Sequence, residues 1–327
     1  MNRIRYVVGV VRALLVFAGM LPFTSYAQDA WPARPVRVVV PSSPGGGTDV
    51  YARVLSQGLS EALKQQFVVD NRPGGSGNIG AEIVAKAAPD GYTMLVSANA
   101  SIAINPVLHR KLPFDVDRDL APVARGVSAP LVLIMHPSVP AKSLAELVEL
   151  GKRDPNKIPF GSAGTGTPTF LGMRRFEEVS GARFLHIPYK GVGAGYKDLL
   201  SGEIKFMLPD IATAIPHIRS GKLTALVVNE RHALLPNTPT FAEAGFPGVE
   251  IEGFFSVLLT GGSPRPIIER LAVEVAKVMR MPAIAERLHG LALVPVFDTP
   301  DDFAAKLKKE REGWAALIKR NNIVVED

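Results

Sequence analysis

Two short, lysine-free runs rich in glycine and hydroxyl groups carry the most legible chemistry of this 327-residue chain. One is Ser43-Pro44-Gly45-Gly46-Gly47-Thr48, within Pro41 to Asp49; the other is Ser162-Ala163-Gly164-Thr165-Gly166-Thr167, entered through Gly161. Each follows a strand-like run, Val36 to Val40 and Ile158 to Phe160, and each precedes an amphipathic helical pattern. At such a turn the first N–H groups of the helix lack intrahelical partners and carry partial positive charge. Each loop is therefore expected to hold a small anion, carboxylate or phosphate, without a basic side chain. Two half-sites imply a ligand gripped between two lobes. A third strand-like run, Thr93 to Ser97, ends in Ala98-Asn99-Ala100-Ser101, where Asn99 is a further candidate contact.

Other chemistries find little support. No Gly-Lys-Ser/Thr follows the first loop, and its glycines do not fit the dinucleotide spacing. Six histidines, at 109, 136, 186, 217, 232 and 289, are dispersed without metal-ligand spacing, so neither metal nor cofactor is expected. No Gly-x-Ser-x-Gly elbow occurs, and Ser42, Ser43 and Ser162 have no His or acidic partner predictable in sequence; their hydroxyls suit hydrogen bonding to a bound oxygen. Asp49 would repel an anion and reads as a brace of the first loop. Lys190, in the turn Pro188-Tyr189-Lys190-Gly191, reads as a surface residue, while Tyr51, Phe170 and Tyr189 are candidates for a flat apolar wall.

The elements that must position these groups alternate between strand and helix patterns after Pro35, which predicts an α/β fold with largely parallel sheets. Ser143-Leu144-Ala145-Glu146 is a capping box, and Thr167-Pro168 an N-cap followed by a first-turn proline. Strands are expected at Phe184 to Ile187, Ile204 to Leu208, Leu223 to Val228 and, returning, at Phe254 to Thr260. Helices are expected at Pro266 to Arg280 and Pro300 to Arg320. Extended runs near Val123 to Ser128 and Glu250 to Gly253 are the expected crossings between lobes, giving residues 28–126 with 253–327 as one lobe and 127–252 as the other.

The N-terminus carries Arg3 and Arg5, an apolar stretch to Phe23, and Ser25-Tyr26-Ala27, the pattern of an export signal (residues 1–27) cleaved near Ala27. Arg12 leaves the apolar run too short to span a bilayer. With no cysteine, the exported chain must be held by burial alone, and 47% hydrophobic residues over this length suit two cores. Removing the signal leaves 34 basic against 31 acidic residues, too even and too scattered for nucleic-acid binding.

The loops, taken with Asn71-Arg72-Pro73-Gly74, Gly77-Asn78-Ile79-Gly80, Ala88-Pro89-Asp90-Gly91-Tyr92, Ile104-Asn105-Pro106, His186-Ile187-Pro188-Tyr189-Lys190-Gly191 and Ile215-Pro216-His217, resemble the Bug family of periplasmic receptors. These are the extracytoplasmic solute-binding components of tripartite tricarboxylate transporters. The resemblance runs from Trp31 nearly to the end of the chain. It implies a type II-like periplasmic-binding-protein (Venus-flytrap) fold, each lobe a mainly parallel sheet flanked by helices. It also implies a monomer that closes without catalysis on a small organic acid and delivers it to membrane permease subunits; a sensor feeding a signalling partner is the alternative. The carboxylate grip carries over to Ser43 through Thr48 and Ser162 through Thr167. The chain departs from the family pattern at Thr165, Pro168 and Phe170, and where an Asp-Asn pair is usual it has Pro209-Asp210. Asp210, the one cleft residue available as a general base were this an enzyme, is expected to disfavour di- and tricarboxylates relative to a monocarboxylate or an amino- or hydroxy-substituted acid.

Overall fold

A computed structural model of the chain describes residues 31–249 and 251–320; the expected export signal lies outside them. The first part contains β1 (Val36–Val40), α1 (Gly47–Leu63), β2 (Phe67–Asn71), α2 (Asn78–Ala85), β3 (Thr93–Ala98), the short helices α3 (Asn105–Leu108) and α4 (Val116–Asp119), and β4 (Leu120–Ser128). The middle contains β5 (Val132–Met135), α5 (Leu144–Arg153), β6 (Pro159–Ser162), α6 (Pro168–Ser180), β7 (Leu185–Pro188), α7 (Val192–Ser201), β8 (Phe206–Met207), α8 (Ile211–Arg219) and β9 (Thr224–Val228). β10 (Phe254–Thr260), α9 (Arg265–Arg280), α10 (Pro282–Gly290), β11 (Val294–Pro295) and α11 (Pro300–Arg320) complete the described chain.

The strands form two sheets, ordered β11-β4-β10-β3-β1-β2 and β7-β6-β8-β5-β9. In the first, β1 runs parallel to β2 and β3, while β10 is antiparallel to both β3 and β4. In the second, β6 is parallel to β7 and β8, whereas β5 is antiparallel to β8 and β9. The sheets are thus mixed rather than mainly parallel. Each takes in a strand that arrives from the other sheet and runs against its neighbours: β10 in the first, β5 in the second. β5, not expected from sequence, is a short wholly buried run, and a four-residue apolar segment carries no period by which to recognise it. The nine-residue α10, which follows Arg280 without a loop, was likewise not expected.

Burial explains the strand composition. β10 is buried at all seven positions because it has a strand on either edge and helices against its faces, so it reads as an unbroken run without alternation. On the first sheet Val39, Leu95 and Leu258 share a core with Phe303 and Leu307 of α11. The second sheet has a core on each face. Phe160, Phe176, Phe184 and Phe206 form one, and Val132, Ile134, Tyr196 and Met207 belong to the other.

Where the chain passes between sheets, two stretches lie side by side. Ala129 N–H donates to the Gly253 carbonyl at 2.8 Å. Asn229 accepts from Leu131 N–H at 2.7 Å through its side-chain oxygen and donates to the Ile251 carbonyl at 2.9 Å.

Candidate functional site

α1 begins at Gly47 with no side-chain cap, because Gly46 in the cap position has none to offer. Its first N–H groups are left for an external acceptor. The loop before it is braced from behind: Asp49 accepts from Gly45 N–H at 2.9 Å and from the Asn71 amide at 3.0 Å, and pairs with Arg53. Burial alone would raise the Asp49 carboxyl, but the hydrogen bonds from Arg53, Gly45 and Asn71 bring it below its ordinary value. Asp49 is therefore an ionised structural brace, as its place in the first turn suggested.

The second loop is built differently. Three of its amides are already partnered: Ala163 N–H by the Thr169 hydroxyl at 3.0 Å, Gly164 N–H by Ser162 Oγ at 3.1 Å, and Thr167 N–H by the Gly164 carbonyl at 3.3 Å. Thr167 caps α6, its hydroxyl accepting from Phe170 N–H and donating to the Gly164 carbonyl. At Ala163, Gly164 and Thr167 the loop therefore offers no open amide. Its hydroxyls, absent from the first loop's helix cap, have turned the donors inward.

Ser162 also acquires a partner that the sequence did not predict. Its Oγ lies 2.7 Å from Nε2 of His186, whose ring packs against Phe160 and Phe170 with centroids 5.0 and 4.5 Å away. Burial, helped by the charge of Arg174, holds His186 down to about 4, so the ring is neutral at neutral pH. Ser162 is fully buried, and this pair braces the loop from behind rather than presenting a nucleophile.

The strand ends of both sheets surround a cavity of about 90 Å³. Such a volume is well below the roughly 300–1,000 Å³ of sites for drug-sized ligands, so its occupant is small. Of the sequence candidates, Ser42, Gly46, Gly47, Thr48, Ala163, Thr167, Pro168 and Asp210 line it. Ser43, Pro44 and Gly45 instead form the outer part of the first loop, with Ser43 N–H donating to the Lys190 carbonyl at 3.2 Å. Thr165 accepts from the Ser76 hydroxyl through its carbonyl, Gly166 faces Asn105 and Leu108, and Gly164 faces Ser76. Asn99 is turned away, its amide donating to the Glu252 carbonyl and to Glu310.

Much of the other lining comes from groups that sequence reasoning missed: Gly74, Ser76 and Gly77 after β2, Ala98 at the end of β3 and Ala100 beyond it, Leu131, Lys190 with Gly191 and Val192, and Phe255. A signal existed for the first of these. Gly74-Gly75-Ser76-Gly77 has the composition of the two recognised loops and follows a parallel strand at the same end of the sheet. The aromatic wall is also corrected: Phe255 lines the cavity, with Tyr51 stacked against it at 6.0 Å, while Phe170 packs on His186 and Tyr189 donates to Asp198.

Asp210 is the N-cap of α8, its Oδ1 accepting from Thr213 N–H at 3.0 Å and from the Thr213 hydroxyl at 3.1 Å. Its backbone is fixed by a bridge to Leu131, where the chain changes sheets. Burial pushes the Asp210 carboxyl above the usual range, against the lowering by Thr213. Among the described residues no group of three or more His, Cys, Asp or Glu is placed to hold a metal ion, and no helix is long and apolar enough to cross a membrane.

Residues 51–323 match the model of the tripartite tricarboxylate transporter family receptor, TctC. This chain belongs to that receptor family. It is 34% identical to the protein BugT of Bordetella pertussis over 98% of this chain and 97% of that one. It is similar to the solved periplasmic binding protein BugD, with 30% identity, a TM-score of 0.86 and coverage of 90% of this chain and all of the other. It is also similar to R. palustris Rpa4515, solved with adipate, with 31% identity and a TM-score of 0.87 over 90% of this chain and 99% of that one. The TctC receptor is thus a non-enzymatic binding protein with the periplasmic-binding-protein fold, two mixed sheets each flanked by helices.

Proposed function

We propose that this TctC receptor captures a small organic carboxylate between two lobes, residues 28–126 with 253–327 and residues 127–252, and delivers it to the permease subunits of a tripartite transporter. It acts as a periplasmic monomer after loss of the signal peptide near Ala27. The observation that carries this reading is the uncapped start of α1 facing a small cavity walled by loops of both sheets. Gly47 and Thr48 N–H groups hold the carboxylate, with Ala163 and Thr167 closing over it. Adipate in Rpa4515 is a carboxylate ligand of the same kind.

Binding must favour the closed form to drive closure, since a ligand shifts an equilibrium only by its differential affinity. Roughly micromolar affinity, about 8 kcal/mol, suffices for capture. The test is a panel of organic acids read by calorimetry, thermal melting and solution scattering. A ligand at about a hundred times its Kd adds about 2.7 kcal/mol and raises the melting temperature by roughly 4 °C for a chain of this size, with a smaller radius of gyration. If no acid of the panel changes melting or scattering, the reading fails.

A further inference from the structure

Among the described residues the cavity lining carries two charged side chains, Lys190 and Asp210. Lys190 is exposed, whereas Asp210 is only 6% exposed. One oxygen of Asp210 is taken up in capping α8. The whole carboxyl lies against the first residue of α1, with Oδ2, which has no part in the cap, the nearer: a methyl group at Gly47 would stand 2.2 Å from Oδ2 and 2.7 Å from Oδ1. The place where the orphan amides of α1 suit a ligand carboxylate is therefore already faced by a carboxyl of the protein.

A ligand carboxylate bound there becomes a close neighbour of Asp210, in a site where water screens little. The repulsion is relieved if the ligand places a hydrogen-bond donor between the two acids. The atom attached to the ligand's α-carbon is suitably close, since it lies within reach of a group that touches the same helix turn. A second ligand carboxylate would find no cation but Lys190; away from the hydroxyls of Ser42, Thr48, Ser76, Ser97, Thr167 and Thr169, the wall includes the apolar residues Ala98, Ala100, Leu131, Val192 and Phe255. We propose that the site takes a small monocarboxylate bearing an α-ammonium or α-hydroxyl group and a short apolar side chain, with Asp210 Oδ2 accepting from that α-substituent. This rests on the carboxylate-receptor reading above.

The test is calorimetry with matched acids: alanine, lactate and propanoate as one set, and valine, 2-hydroxyisovalerate and isovalerate as another, alongside succinate. The α-substituted acids are expected to bind roughly tenfold or more tighter than their unsubstituted counterparts, the worth of a hydrogen bond to a charged group. The amino and hydroxy arms identify which donor is preferred. Asp210→Asn, which keeps a helix-capping oxygen, should shrink the preference to about threefold or less, within the range of a neutral hydrogen bond. Should that variant fail to fold, the wild-type series decides alone. Unsubstituted acids or succinate binding as tightly as the α-substituted acids, or Asp210→Asn keeping the full preference, overturns the proposal while leaving the carboxylate receptor intact. Absence of binding by every carboxylate tried overturns both.

Discussion

His186 shows how a single residue ties the second loop to the pH of the surroundings. Its nitrogen is held against Ser162, and burial keeps its folded-state value near 4, below the value of about 6.5 for an exposed histidine. The unfolded chain therefore binds this proton more readily. The contribution of the neutral ring is fully present above pH 6.5 and is lost as the pH falls toward 4. The loss is on the order of 2 kcal/mol. His186→Gln, which keeps a hydrogen-bonding group for Ser162, is expected to flatten the fall in melting temperature between pH 6.5 and 4 relative to wild type. An unchanged slope would mean that other groups carry the acid sensitivity. At this scale the brace formed by Asp49 was legible, since its partners lie within four residues or on the next strand. The partner of Ser162 was not: His186 reaches it only because β6 and β7 pair in parallel with Phe160 opposite His186, a register that residue spacing does not reveal.

At the scale of elements, the two loops that looked alike in composition do different work. The first leaves α1 uncapped and the second caps α6 through Thr167, a difference already written in the cap positions, Gly46 against Thr167. What composition does not show is the third element pressed against them. The start of α7 packs on the first loop so closely that a methyl group at Gly193 would stand 2.6 Å from the Pro44 carbonyl oxygen and 2.9 Å from Gly46 N. Gly193 lies inside a helix, where alanine is favoured over glycine by about 1 kcal/mol. Gly193→Ala sets that gain against a clash with backbone atoms of the first loop, so α7 must move away from the loop and the melting temperature of the ligand-free protein should change little or fall. Ligand affinity is expected to fall roughly tenfold or more, in line with an overpacking cost of about 1–3 kcal/mol, and calorimetry beside ligand-free melting curves separates the two effects. Wild-type affinity would show that the seam yields without cost.

For the whole molecule, the extended run expected as a crossing near Val123 to Ser128 lies within β4 of the first sheet, which the chain leaves only after Ser128, and the direction of the strands was not legible in sequence. β5 and β10 lie against their neighbours because each is delivered from the opposite sheet, and only the assembled topology reveals this. The crossings are joined by Asn229, whose amide holds Leu131 N–H with one end and the Ile251 carbonyl with the other. If the crossings are the hinge of the proposed closure, this side chain sets how stiffly they bend together. Asn229→Ala leaves a donor and an acceptor without their partner, at about 1–3 kcal/mol each where water cannot replace it. The melting temperature should fall, and the ligand-free radius of gyration should rise as the crossings loosen. The ligand-bound radius should return to the wild-type value, because the contacts between Ser43 and Lys190 and between Ser76 and Thr165 that hold the loops together are untouched. Equal ligand-free scattering from variant and wild type, despite a lower melting temperature, would assign Asn229 to stability alone and place the hinge elsewhere.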